Sequence, residues 1–137
     1  MKCKTFLVAN NIIIDFISKR ASAINLLEDF RAIIFPSQIS FSVLTMIEAD
    51  GDEEKTGELL LQIKNEDEFI YKDYKISFSF ANGPSIKNVS AFGAVILSKP
   101  GKLSFILNDA QGKIYGEFSV NANGPLMQEQ STTSSVS

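Results

Sequence analysis

Histidine and tryptophan are absent from the 137 residues, and cysteine occurs once, at Cys3. Without histidine the commonest general base and the commonest imidazole metal ligand are missing. No Ser-His-Asp or Cys-His constellation can then be assembled. A single thiol without histidine also leaves the usual structural zinc sets out of reach within one chain. One cysteine closes no intramolecular disulfide, so the pattern is not that of a stapled secreted scaffold. Cys3 reads as a reduced, incidental thiol, and a cytoplasmic setting is expected. No Gly-rich phosphate loop of either common kind is present. No apolar run approaches the ~20 residues that span a bilayer, so no membrane association is expected. Lys2 and Lys4 ahead of an apolar stretch, with Ala21-Ser22-Ala23 further on, imitate a signal peptide. Asn10, Asn11 and Asp15 interrupt the apolar run, and Lys19 and Arg20 directly precede the cleavage-like box, so that reading is set aside.

Positive charge is also short. Thirteen basic side chains face 16 acidic ones, for a net charge of −3. That balance supplies no general attraction to a phosphate backbone, and nucleic acid is not an expected partner. An enzyme built from this inventory would depend on carboxylates, lysines or hydroxyls. None of these falls into a recognisable motif, so the chain reads as a non-enzyme with no cofactor.

What the chain does have is strand patterning. Its length suits one domain able to bury its own core, and 11 phenylalanines make that core aromatic. The clearest stretch is Ser98 to Val120. Leu103, Phe105 and Leu107 alternate with Lys102 and Ser104, Asn108 to Lys113 reads as a tight loop, and Ile114, Phe118 and Val120 resume the alternation with Tyr115, Glu117 and Ser119. This predicts a β-hairpin in which Leu107 faces Ile114, Phe105 faces Gly116 and Leu103 faces Phe118, or a bulge at Gly112 if the register differs. Its outer residues, Ser104, Ile106, Tyr115 and Glu117, are the predicted interaction surface.

Further strands are predicted at Thr5–Ala9, Ala23–Leu27, Ile39–Val43, Glu58–Lys64, Ile76–Phe80 and Val89–Leu97. Asn10-Asn11 signals a turn, and Ile12 to Ile17 fits strand or helix. The apolar parity slips at Leu44 and Met46, which predicts a β-bulge there. Pro36, with no amide to donate, should end the stretch before it. About eight strands, short polar connections and no convincing long helix predict an all-β fold, a single antiparallel β-sandwich over 1–122, with a small β-barrel as the alternative. Residues 123–137 are mostly polar, Ser and Thr dominating the last seven, and are expected to form a flexible tail.

Three clusters are candidate sites. Asp50, Asp52, Glu53 and Glu54 concentrate carboxylates in one loop, as a calcium site requires, although the spacing does not fit an EF-hand and a solvated loop is the plainer reading. Glu66-Asp67-Glu68 reads as a solvated acidic turn. Phe69, Tyr71 and Tyr74 interleave with Lys72 and Lys75, which could form a stacking platform for single strands; Asp73 dilutes the charge, and ordinary strand packing is favoured.

The order of signals from Phe6-Leu7-Val8-Ala9 through Phe35-Pro36 and Glu58-Leu59-Leu60-Leu61-Gln62-Ile63-Lys64 to Lys99-Pro100-Gly101-Lys102-Leu103-Ser104-Phe105 resembles a family of small uncharacterised bacterial β-sandwich proteins, a domain of unknown function. The glycines that family would place near Leu27 and Asp67 are replaced by Leu27-Glu28 and Asp67-Glu68. The resemblance implies a β-sandwich in a bacterial cytoplasm and carries no catalytic residues. The expectation for function is a non-enzymatic protein-interaction or assembly module, of which self-association through a sheet edge is one form. The alternative is a sandwich that binds a sugar, a peptide or calcium through its acidic loops.

Overall fold

The computed structural model describes residues 1–15, 17–32, 34–51, 56–81 and 83–123. Nine strands lie among them: β1 (Lys2–Ile14), β2 (Ala21–Leu26), β3 (Asp29–Arg31), β4 (Ser37–Glu48), β5 (Thr56–Asn65), β6 (Glu68–Ser79), β7 (Ser85–Leu97), β8 (Gly101–Asn108) and β9 (Ile114–Asn123). They form two open sheets, in the order β2-β1-β4-β7 and β3-β9-β8-β5-β6. Pairing is antiparallel throughout except between β3 and β9. The fold is therefore a β-sandwich and not a closed barrel. No described residue is helical, and Ile12 to Ile14 is strand. The ninth strand, β3, overlaps only the beginning of the apolar stretch Phe30–Phe35 that precedes Pro36, and Pro36 itself stands immediately ahead of β4.

Period-two patterning fills the space between the sheets. Ile39, Phe41, Val43 and Ile47 of β4 face Leu59, Leu61 and Ile63 of β5 and Leu103, Phe105 and Leu107 of β8, all in one buried cluster. A chain of rings runs through it: Phe41 meets Phe105 edge-on at 5.2 Å and Phe92 at 5.4 Å, and Phe92 meets Tyr74 at 4.8 Å and Tyr71 at 5.1 Å. Such pairs add to area burial through their complementary quadrupoles. Both tyrosines are thus spent on the core, and no stacking platform forms around them. Phe69 alone of that trio is well exposed, with the Lys64 and Lys72 ammonium groups over its ring at 5.2 and 5.7 Å.

The parity slip at Leu44 is not a bulge in β4. Ile39, Phe41, Val43 and Ile47 keep to the inter-sheet core, while Leu44 and Met46 belong to a second apolar cluster on the opposite face, with Ala9, Ile12, Leu7, Ala21 and Val89. β4 is a central strand covered on both sides, so both parities carry apolar residues. The extra residue sits across the ladder in β7: Ile39 pairs Val95 but Phe41 pairs Phe92, and Ala94 there has φ +54°.

The β8–β9 hairpin forms in another register from the predicted one. Leu103 faces Val120, Phe105 faces Phe118 and Leu107 faces Gly116, and the added residue is Tyr115, between Gly116 and Ile114, instead of Gly112. Asp109 sets this register. Its carboxylate accepts from the Gln111 and Lys113 amides, each at 2.9 Å, and from the Tyr115 hydroxyl at 3.3 Å. A ring does cover Gly116, but it comes from the opposite sheet: a Cβ at Gly116 would lie 3.1 Å from Phe6. β9 runs on through Asn123, whose carbonyl accepts from Ala32 at 3.1 Å, one residue past the predicted domain end. The predicted tail from 124 onward lies outside the described residues.

Candidate functional site

Asn10 and Asn11 do not end β1, as their turn chemistry suggests, yet they reverse it. Val8 belongs to the inter-sheet core, Ala9 and Ile12 to the cluster on the other face of the four-stranded sheet, and the two asparagines between them are exposed. Strict alternation would return Ile12 to the side of Val8. Ten residues of straight strand would hold Lys4 and Ile14 about 33 Å apart, but both line one cavity. The β1–β2 ribbon therefore folds back at Asn10–Asn11 and lies over the outer face of its own sheet. Its ladder stays intact across the bend, with Ala9 facing Leu26 and Asn11 facing Ile24. Ile12 and Ala21 press on Leu44 and Met46, which accounts for the burial of a sheet face that a plain sandwich would leave in water.

The ribbon tip is an ordered turn. The Asp15 carboxylate accepts from the Ile17 and Ser18 amides at 2.7 and 3.1 Å, and the Lys19 amide donates to the Asp15 carbonyl at 2.8 Å. Those amide hydrogen bonds, Ser18 first, hold the Asp15 carboxyl below its ordinary value. Lys19 takes φ +62°, which turns its carbonyl toward β7, where the Lys87 ammonium donates to it.

Between ribbon and sheet lies a cavity of about 430 Å³. Ile14 and Met46 are the apolar residues of the outer face that line it; Ile47 and Ile86 also border it but belong to the inter-sheet core, and Lys4, Lys19 and Lys87 complete the cationic part of the lining. Glu48 is the one carboxylate among the described lining residues, and it is engaged by Lys4 at 3.4 Å and Lys2 at 3.7 Å. Among the described lining residues there are three lysines and one glutamate. Sequence reading passed over this site because its members come from residues 4 to 87 and meet only through the fold-back. The one local signal was Asn10-Asn11.

The acidic candidates fare differently. Asp50 is paired with the Met1 amino group, while Asp52, Glu53 and Glu54 lie outside the described residues. No group of three or more His, Cys, Asp or Glu suited to a metal forms among the described residues. The acidic turn after β5 is exposed at Glu66, Asp67 and Glu68, as expected, and it also acts as a clasp. Asn65, 1% exposed, donates to the Lys99 carbonyl at 3.1 Å and accepts from the Lys99 amide and the Ser98 hydroxyl, both at 3.3 Å. The Glu66 carboxylate accepts from the Lys102 amide, and Glu68 pairs with Lys99 at 3.6 Å. Of the predicted interaction surface, Ser104, Ile106 and Glu117 share the outer face of the five-stranded sheet. Ser104 is buried there, receiving a 3.5 Å bond from Ser119; Ile106 is half-buried and Glu117 exposed. Tyr115 leaves them to pack against the core, with Lys113 at 5.0 Å from its ring. Cys3 is half-buried, donates to the Thr5 carbonyl at 3.3 Å, and has its thiol pKa raised by burial.

Fold and cavity together define a β-sandwich whose first hairpin is a flap over a cationic, apolar-lined recess. Compared with protein-family models, with curated proteins and with solved structures, the chain finds no match.

Proposed function

We propose that the protein is a non-enzymatic interaction module that self-associates through β2. The observation that carries this reading is the state of that strand. β2 is terminal in its sheet, Ser22 to Leu26 are all exposed, and the strand holds no proline and no charge. Ile24 and Leu26 stand 43% and 53% exposed, joined by Ile13 and Ile17 of the same flap at 48% and 89%. Monomeric proteins usually blunt such an edge with lysine, proline or extreme shortness. The other long terminal strands here follow that rule: β6 carries Lys72, Asp73 and Lys75, and β7 carries Lys87 and the Ala94 bulge. An uncharged apolar edge is self-complementary, and two copies can pair it antiparallel about a two-fold axis.

Sedimentation velocity from low to high micromolar protein tests this. A monomer–dimer equilibrium is expected, with Ile24→Lys raising the dimer dissociation constant at least about tenfold through the like charges it brings together. A strict monomer at high micromolar concentration, or an Ile24→Lys dimer as tight as the parent, overturns the proposal.

A further inference from the structure

We infer that the flap tip rests on an anionic lipid surface, with Ile17 entering the interface and the basic residues behind it among the headgroups. Among the described residues nine large apolar side chains are exposed, and five of them, Ile13, Ile14, Ile17, Ile24 and Leu26, belong to this one hairpin. Exposed apolar residues scattered singly are ordinary; gathered on one projection they mark a contact surface. Ile17 is the extreme case, at 89% exposed. It stands in a turn fixed from within, its own amide donating to the Asp15 carboxylate at 2.7 Å. The backbone is thus ordered here while an isoleucine is held out in water.

Charge selects the occupant. From Asp15 to Arg20 the sequence carries two cations, Lys19 and Arg20, against one carboxylate, Asp15, and both cations are exposed. β7 brings a third ammonium group to the same tip, since Lys87 donates to the Lys19 carbonyl. An anionic headgroup layer responds to this summed charge, and no vacant ammonium group is needed for it. A second copy seated tip to tip would instead set like charges together. An aliphatic tip backed by basic side chains is the chemistry of an interfacial anchor: the apolar group enters the acyl boundary and the cations stay among the phosphates. The lack of a bilayer-spanning run concerns crossing a membrane, not lying against one. Ile17 lies beyond the Ala21 end of β2, so pairing at that edge does not use it, and the two readings are independent.

Cosedimentation of the full chain with sucrose-loaded vesicles of equimolar phosphatidylglycerol and phosphatidylcholine tests it. Partitioning is expected, weaker by about fivefold or more on pure phosphatidylcholine and falling as salt rises. Ile17→Ser should weaken it about tenfold, the effect of withdrawing one isoleucine side chain from an apolar environment, and Arg20→Gln about fivefold. Both side chains are exposed, so both variants should fold as the parent does. The chain has no tryptophan, so Ile17→Trp provides a single reporter whose emission should move to the blue on the same vesicles. No cosedimentation, equal binding to the two vesicle compositions, an unshifted Ile17→Trp emission, or Ile17→Ser binding as tightly as the parent overturns the inference. So does loss of self-association by Ile17→Ser in sedimentation velocity with no vesicle binding by the parent, which would assign the tip to a protein interface.

Discussion

Thr45 is the described residue whose buried side-chain polar atom finds no partner; its hydroxyl is fully enclosed on the β4 face that looks into the core, between Phe6 and Asn88. A buried hydroxyl without a hydrogen bond costs more than its packing returns. Thr45→Val keeps the branched shape and removes the orphan, so urea unfolding should show the variant more stable by about 1 kcal/mol. Asp15 presents the opposite situation at the surface. Its carboxylate is charged and doubly bonded to amides in the folded turn, so its folded pKa lies below its unfolded one. The sign follows: the turn's contribution is fully present at neutral pH and is lost only as pH falls through the folded value. NMR titration of the carboxyl carbon should place Asp15 below the ordinary aspartate range, and Ser18 and Ile17 amide shifts should follow the same curve. An ordinary Asp15 midpoint would mean the turn is not held as described. Cys3 is the third informative residue, since burial raises its pKa and works against thiolate chemistry.

At the scale of elements, the clasp between the turn after β5 and the start of β8 is the feature with the largest mechanical consequence. Asn65 satisfies three groups of the Ser98–Lys99 segment, and Glu66 caps the Lys102 amide. Asn65→Leu, which leaves the part-buried Lys99 amide and carbonyl without their partner, should cost about 1–2 kcal/mol in urea unfolding. Gly101 has φ +136°, and a Cβ there would strike the Glu66 carboxylate. Gly101→Ala should therefore destabilise by more than about 1 kcal/mol, for backbone and contact reasons together. Asn65→Leu and Gly101→Ala variants as stable as the parent would show that the clasp is not formed. The same region shows what the sequence could convey. The strands β4, β5 and β8 were legible because their alternation is local. Asn65-Glu66-Asp67-Glu68 was legible as a turn, but its partners lie about 34 positions away and leave no local mark. The hairpin register was missed because Asp109 accepts from amides two and four residues on, which no hydrophobic pattern records.

At the scale of the whole molecule, the second apolar cluster was the part least visible in advance. Leu44 and Met46 signalled apolar surface on a second face, but only the fold-back says what covers it. The candidate cavity inherits that difficulty, since it lies between a sheet and a ribbon from that same sheet. Self-association through β2 also has a whole-molecule signature: if the dimer forms, thermal stability should rise with protein concentration, because association selects the folded chain. A melting temperature independent of concentration would agree with the monomer outcome that overturns that reading.

The fold-back has one more consequence. Among the described residues, β2 makes ladder bonds only to β1, and the ribbon tip meets the sheet through side chains and through the Lys87–Lys19 hydrogen bond. Lifting it breaks no strand pairing, whereas separating β1 from β4 breaks a ladder seven pairs long. The first strand thus belongs to two cooperative units with different opening costs. The half up to Ala9 is tied into the sandwich by the β4 ladder, whereas the half beyond Asn11 covers Leu44, Met46 and Val89 through side-chain packing.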